Sequence, residues 1–181
     1  MKITRITIYD CRIEGFGSNA WNPVYVRIDT SEGITGWGEA ATGYYIGARA
    51  VCAMLEQLAR RLLVGNDALA TERLWNEMLW LAARVYGGGA VGYAAISAVD
   101  QALWDLKGKA AGMPVYQLLG GPVRPSLRLY ANGWCYDLTE PAQYAKAARK
   151  VVAAGFTAMK FDPFRYHPGG FKAHPERGGN S

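Results

Sequence analysis

The run Ser97-Ala98-Val99-Asp100-Gln101-Ala102-Leu103-Trp104-Asp105-Leu106-Lys107-Gly108-Lys109, followed shortly by Gly112-Met113-Pro114-Val115-Tyr116-Gln117-Leu118-Leu119-Gly120-Gly121, separates two different grammars in this sequence. Within and just before it, Ala95, Val99, Ala102, Leu103 and Leu106 recur at helical spacing, which predicts one buried stripe on a helix that starts near Val91 and is stopped by Gly112 and Pro114. Upstream, Val51, Met54, Leu55, Leu58 and Leu62 share a helical face, with Gly65 placed where a left-handed C-terminal residue is expected. Thr71 can cap a further helix whose inner stripe is Leu74, Trp75, Met78, Leu79 and Ala82.

Before these helices the period is two. Ile6 and Ile8 alternate with Thr7 and Tyr9, and Val24, Val26 and Ile28 alternate with Tyr25, Arg27 and Asp29. The turn Ser31-Glu32-Gly33 leads to Ile34-Thr35-Gly36-Trp37-Gly38-Glu39, a third strand whose glycines indicate close packing or a bulge. Three antiparallel strands followed by three helices predict an α+β layer pair.

Beyond Gly120-Gly121-Pro122 the order becomes strand, helix, strand. Residues 127–131 are strand-like, Thr139 and Pro141 open a helix with Tyr144, Ala148, Val151 and Val152 inward, Gly155 closes it, and residues 156–161 form the next strand. Two parallel strands need cover on both faces, and a closed TIM-type β/α barrel takes about 250 residues. The expected organisation is therefore an N-terminal domain over residues 1–122, the first βαβ segment of a truncated barrel over 123–164, and an irregular tail over 165–181.

Composition narrows the function classes. The chain has 181 residues, half of them apolar, and 20 Lys and Arg against 15 Asp and Glu, a formal charge of +5. Those charges are spread along the chain instead of forming a basic stripe, so no nucleic-acid partner is expected. Cys11, Cys52 and Cys135 are far apart without CxxC spacing, which argues against a disulfide framework or a zinc site and for a reducing, cytoplasmic setting. No stretch has the apolar length needed to span a bilayer, so no membrane partner is expected.

Two motifs have duller explanations. Gly87-Gly88-Gly89-Ala90-Val91-Gly92 fits GxGxxG, but the residues before it have helical period and no acidic residue follows at the required distance, so a helix–helix connector is expected. His167 and His174 stand in a Pro- and Gly-rich tail with only Glu176 close, which reads as solvent-exposed histidines, not a metal site.

The Asp-x-Ala-Leu-Trp-Asp run with its Leu-Leu-Gly-Gly ending resembles the enolase superfamily, in the mandelate racemase and muconate lactonizing branch. Gly36-Trp37-Gly38-Glu39, Leu74-Trp75 and Gly155-Phe156-Thr157-Ala158-Met159-Lys160 fall in the family's order, and the likeness covers about residues 1–162. It implies that residues 1–122 form a capping domain. It also implies an enzyme that removes the proton α to a carboxylate and holds the enediolate on Mg²⁺. Lys160 matches the catalytic lysine at the end of the second barrel strand, and Asp162, two residues on, shares its face. Asp162 either holds the Lys160 ammonium charged or contacts substrate. Lys160-Phe161-Asp162 in place of Lys-x-Lys is closer to sugar-acid dehydratases than to racemases.

The family's metal carboxylates lie on the third to fifth barrel strands, so the resemblance assigns no metal ligand in this chain and implies that it is inactive alone. Cap loops would shape a pocket for a small-molecule carboxylate, a sugar acid, with candidates Trp21, Asn22, Tyr44, Tyr45 and Arg49 on residues 15–23 and 42–49. Trp21 reads equally as packing. A homo-oligomer is expected of the full-length form. The alternative from another class is a stand-alone α+β interaction domain without catalysis.

Overall fold

Alternating apolar residues build three strands, β1 (Ile3–Asp10), β2 (Val24–Thr30) and β3 (Thr35–Ala40), paired antiparallel in the order β1-β2-β3. The computed structural model describes residues 1–11, 22–41, 47–85, 87–135, 138 and 140–161, and the chain divides into the units Met1–Pro122 and Val123–Ser181. In β2 every second residue, Val24, Val26, Ile28 and Thr30, is buried, as period-two patterning requires. Opposite Arg5 in the register stands Asp29, which Arg5 and Arg27 bind at 3.0 and 2.9 Å. Burial pushes the Asp29 carboxyl up, but these guanidinium contacts outweigh it and hold the group below its ordinary value.

Helix α1 (Ala48–Leu58) buries Ala48, Val51, Leu55 and Leu58, and a π-helical turn, Ala59–Leu63, continues it. The sequence pattern puts Leu62 on the inner face; the structure buries Leu63 instead, with Leu62 only partly covered. A π turn holds an extra residue per turn, so the inward position moves one residue along. Helix α2 (Thr71–Leu79) runs into a second π-helical segment, Trp80–Val85, and buries Leu74, Met78 and Ala82. Trp75, expected in its inner stripe, is 37% exposed. Thr71 is not the cap either. It is the first helical residue, and its buried hydroxyl accepts a bond from the Lys107 ammonium at 3.3 Å.

Helix α3 (Gly89–Ala111) forms the centre of this unit, burying Ala95, Val99, Ala102, Leu103 and Leu106, and ends at Gly112 with φ 64°. Each fully buried leucine contributes about 1.5–3 kcal/mol relative to exposure. Gly87 and Gly88, with φ 78° and 67°, make the turn into α3. What precedes them is the π-helical segment and not a strand, which removes the dinucleotide-binding context. A short helix α4 (Val115–Leu118) follows.

The seam between α3 and β3 depends on the two strand glycines. A Cβ on Gly38 would overlap the carbonyl oxygen of Ala98, and one on Gly36 would overlap that of Ala102 and lie 2.6 Å from Leu106 Cγ. This close approach brings polar side chains of α3 to the free edge of β3. Asp105 Oδ2 accepts from the Trp37 amide at 2.9 Å, and Gln101 Oε1 accepts from the Glu39 amide at 3.1 Å. Gln101 Nε2 donates to the Glu39 carbonyl and Lys109 Nζ to the Thr35 carbonyl. Gln101, Asp105 and Lys109 advance about 6 Å per four helical residues. Alternate residues of a strand advance about 6.6 Å. The near match lets one helix face serve one strand edge.

In the second unit, helix α5 (Pro141–Ala153) starts with a Glu140/Gln143 capping box and proline in its first turn, and Gly155 (φ 89°) follows its end. The two strands expected at 127–131 and 156–161 shrink to one parallel bridge, Ala131 with Met159. The Ala131 amide donates to Ala158 at 3.0 Å and the Lys160 amide to Ala131 at 2.8 Å. A lone parallel pair lacks the lateral strands and face cover that stabilise such ladders. Accordingly Leu127 and Leu129 are 79% and 71% exposed, and Val152, expected inward, is 61% exposed. Of the inward set, Tyr144, Ala148 and Val151 are half-buried.

Gly38→Ala is expected to lower stability by about 3 kcal/mol, because the added methyl meets helix backbone that has no rotamer to yield. A urea midpoint equal to the wild type's would show that the seam has slack. Asp100, on α3, has its carboxyl pushed up by burial and by the charge of Glu72, against a hydrogen bond with Trp104. A folded-state value raised above the ordinary 3.8 means stability present at low pH and lost as pH rises through the folded value. Asp100→Asn should therefore flatten the stability–pH curve above pH 4 and raise the melting temperature at neutral pH. An unchanged slope would mean that Asp100 is solvated.

Candidate functional site

Lys160 is held where an extended segment follows the turn at Gly155. Its amide is bonded to the Ala131 carbonyl at 2.8 Å, and its own carbonyl accepts from Trp134 Nε1 at 2.7 Å. Trp134 comes just after Gly133, whose φ of 75° turns the chain there. The indole lies tilted against Phe161, ring centroids 5.8 Å apart, and edge-on to Tyr144 at 6.5 Å. Tyr144 and Phe161 meet edge-to-face at 5.3 Å, and the Tyr144 hydroxyl donates to the Leu138 carbonyl at 2.6 Å. Such tilted and edge-on pairs are the favoured aromatic geometries. Cys135 is buried beside this cluster. Desolvation, and then the neighbouring Cys135, push the Tyr144 phenol up. The Lys160 side chain is exposed, and among the described residues it makes no hydrogen bond or ion pair.

The residues singled out on the first unit are only partly placed. Asn22 immediately precedes Pro23 and β2; its Oδ1 is buried and, among the described residues, has no hydrogen-bond partner. Arg49 is exposed in the first turn of α1, whose N-cap is Gly47 with φ 110°. Trp21, Tyr44, Tyr45 and Asp162 lie outside the described residues, as do Thr139, His167 and His174.

Among the described residues no group of three or more His, Cys, Asp or Glu side chains is close enough to hold a metal ion, so the side chains described here do not form a Mg²⁺ site. No helix among them is long and apolar enough to cross a membrane. Trp134 was invisible to pattern reading, since a single tryptophan after a glycine carries no period. Its one signal is position, three residues past a parallel strand end.

The chain matches the family model of the mandelate racemase / muconate lactonizing enzyme N-terminal domain over residues 17–120. It is 44% identical over 162 residues to a D-galactonate dehydratase of Verminephrobacter eiseniae, covering 90% of this chain and 38% of that protein. A D-galactonate dehydratase of Xanthomonas oryzae pv. oryzae is 40% identical, with the same coverage. The chain thus spans about two-fifths of the length of the curated relatives it matches. Among solved structures, a member of the enolase superfamily from Salmonella Typhimurium superposes with a TM-score of 0.82 at 39% identity, covering 92% of this chain and 43% of that one. The 3,6-anhydro-D-galactonate cycloisomerase from Zobellia galactanivorans superposes with a TM-score of 0.73 at 32% identity, covering 88% of this chain and 42% of that one.

Proposed function

The chain belongs to the mandelate racemase and muconate lactonizing enzyme family, whose N-terminal domain it carries, and on that footing we propose that it is the N-terminal portion of a sugar-acid dehydratase in which Lys160 exchanges the proton α to the substrate carboxylate. The observation that carries the reading is the relationship to D-galactonate dehydratases. A match of 162 residues within 181 must span the position of Lys160. The pinned backbone of Lys160 supports it, since a base must be held within reach of the proton it takes.

In the reaction the Cα–H bond breaks, its proton going to the base and its electron pair into a double bond to the neighbouring carbon as the C–O bond there breaks. The proton lost from Cα and the departing hydroxyl together make up the water released. The lysine must be neutral to accept a proton, and Asp162, as the sequence places it, would either oppose that or contact substrate. Arg49, an exposed cation, suits the substrate carboxylate, and the same proposal gives Asn22 Oδ1, which has no partner among the described residues, a sugar hydroxyl to accept from. Trp21, Tyr44 and Tyr45 complete the proposed cap pocket. Mg²⁺, a cytoplasmic location and a homo-oligomeric full-length form belong to the same proposal.

The test is to put this chain in place of the corresponding segment of the Verminephrobacter dehydratase and follow D-galactonate dehydration and α-deuterium exchange in D₂O with Mg²⁺ present. The graft is expected to turn over. Lys160→Ala within it should lower kcat about a thousandfold. Exchange and turnover at the unmutated rate would make Lys160 an ordinary strand-end lysine, and a graft that folds without any turnover would favour an interaction domain.

A further inference from the structure

The peptide units on both sides of Lys160 are fixed by one short stretch of chain: Ala131 accepts from its amide at 2.8 Å, and the Trp134 indole donates to its carbonyl at 2.7 Å. Both contacts come from the four-residue stretch 131–134, in which Gly133 supplies the left-handed turn that brings the indole round. The first bond is ordinary strand pairing. The second replaces the next rung of a ladder that does not continue here, because the pair amounts to a single bridge. We propose that Trp134 is a positioning residue for Lys160, its indole N–H standing in for the missing rung and fixing the direction in which the lysine side chain leaves the backbone. This rests on the reading of Lys160 as the base.

The packing fits the role. An indole has one donor, and its ring orientation decides where that donor points. Among the described residues two side chains set the ring: Phe161 lies tilted against it and Tyr144 meets it edge-on. Tyr144 is itself fixed by its hydroxyl bond to the Leu138 carbonyl. The Lys160 carbonyl is thus reached by a donor whose position is set by α5, by the residue after Lys160 and by the chain near Leu138. Phenylalanine at 134 would keep most of the apolar contact and delete the donor alone.

Two measurements test this. In the chain itself, Trp134→Phe should speed hydrogen exchange of the Lys160 amide, read by mass spectrometry on a peptide spanning residues 156–161, by about tenfold. Ala147→Gly on α5 loosens the same unit without touching the indole bond and should leave that amide's exchange within about twofold of wild type. In the dehydratase graft, Trp134→Phe should lower kcat by about ten- to a hundredfold with KM within about twofold, because a displaced base loses rate and not ground-state binding. Unchanged Lys160 exchange, a wild-type kcat, or equal effects of Trp134→Phe and Ala147→Gly would each overturn the positioning role while leaving Lys160 as the base. Full turnover in Lys160→Ala would instead remove the base and with it the need to position it.

Discussion

The approach of β3 to α3, made possible by glycine at 36 and 38, is the constraint on which the first unit depends. With any side chain there, the strand backbone could not come close enough for Gln101 and Asp105 to reach the amides of Glu39 and Trp37. Those amides belong to the edge of the sheet, where unpaired groups would otherwise be open to solvent or to another strand. One feature therefore does two things: it fixes the helix against the sheet and it closes the sheet's edge at β3. The run that marks the family is accounted for in the same way. Ala98 and Ala102 are small because the strand lies on them, while Gln101, Asp105 and Lys109 are polar because they serve that strand's backbone.

The second unit is organised on a different principle. Its helix is well capped and its turn glycines are in place, yet no residue of α5 is buried. What it does hold firmly is local: the aromatic cluster of Trp134, Tyr144 and Phe161, and the pair of bonds on Lys160. Arg128 adds a tie of the same kind, its guanidinium donating to the hydroxyl and the carbonyl of Thr157. These ties are thus concentrated around the segment that bears the lysine, while the apolar side chains of Leu127 and Leu129 are exposed.

Much of this was legible in the sequence because it depended on period and punctuation. The three strands, the buried stripe of α3 from Ala95 to Leu106 and the stops at Gly65, Gly112 and Gly155 follow from rules that act over a few residues. The failures share a cause. Leu62 is displaced by a π-helical turn and Thr71 is drawn to Lys107, 36 residues on, and neither a π turn nor a distant partner leaves a local pattern. The parallel strands shortened to one bridge because strand propensity does not supply partners. At the candidate site, Lys160 could be named from its motif, but the indole that holds it could not, since the contact joins residues 26 apart.

The claim that the α3 face seals the β3 edge is tested most directly by amide hydrogen exchange at Trp37 and Glu39. Among the described residues these two amides donate to the side chains of Asp105 and Gln101 and not to a further strand, so their protection is expected to come from those side chains. If the seam is as described, they exchange as slowly as amides of the central strand β2, and Asp105→Ala releases Trp37 while leaving Glu39 protected. If both exchange at the rate of open loop amides in the unaltered chain, the helix does not close the edge and the account of this fold fails.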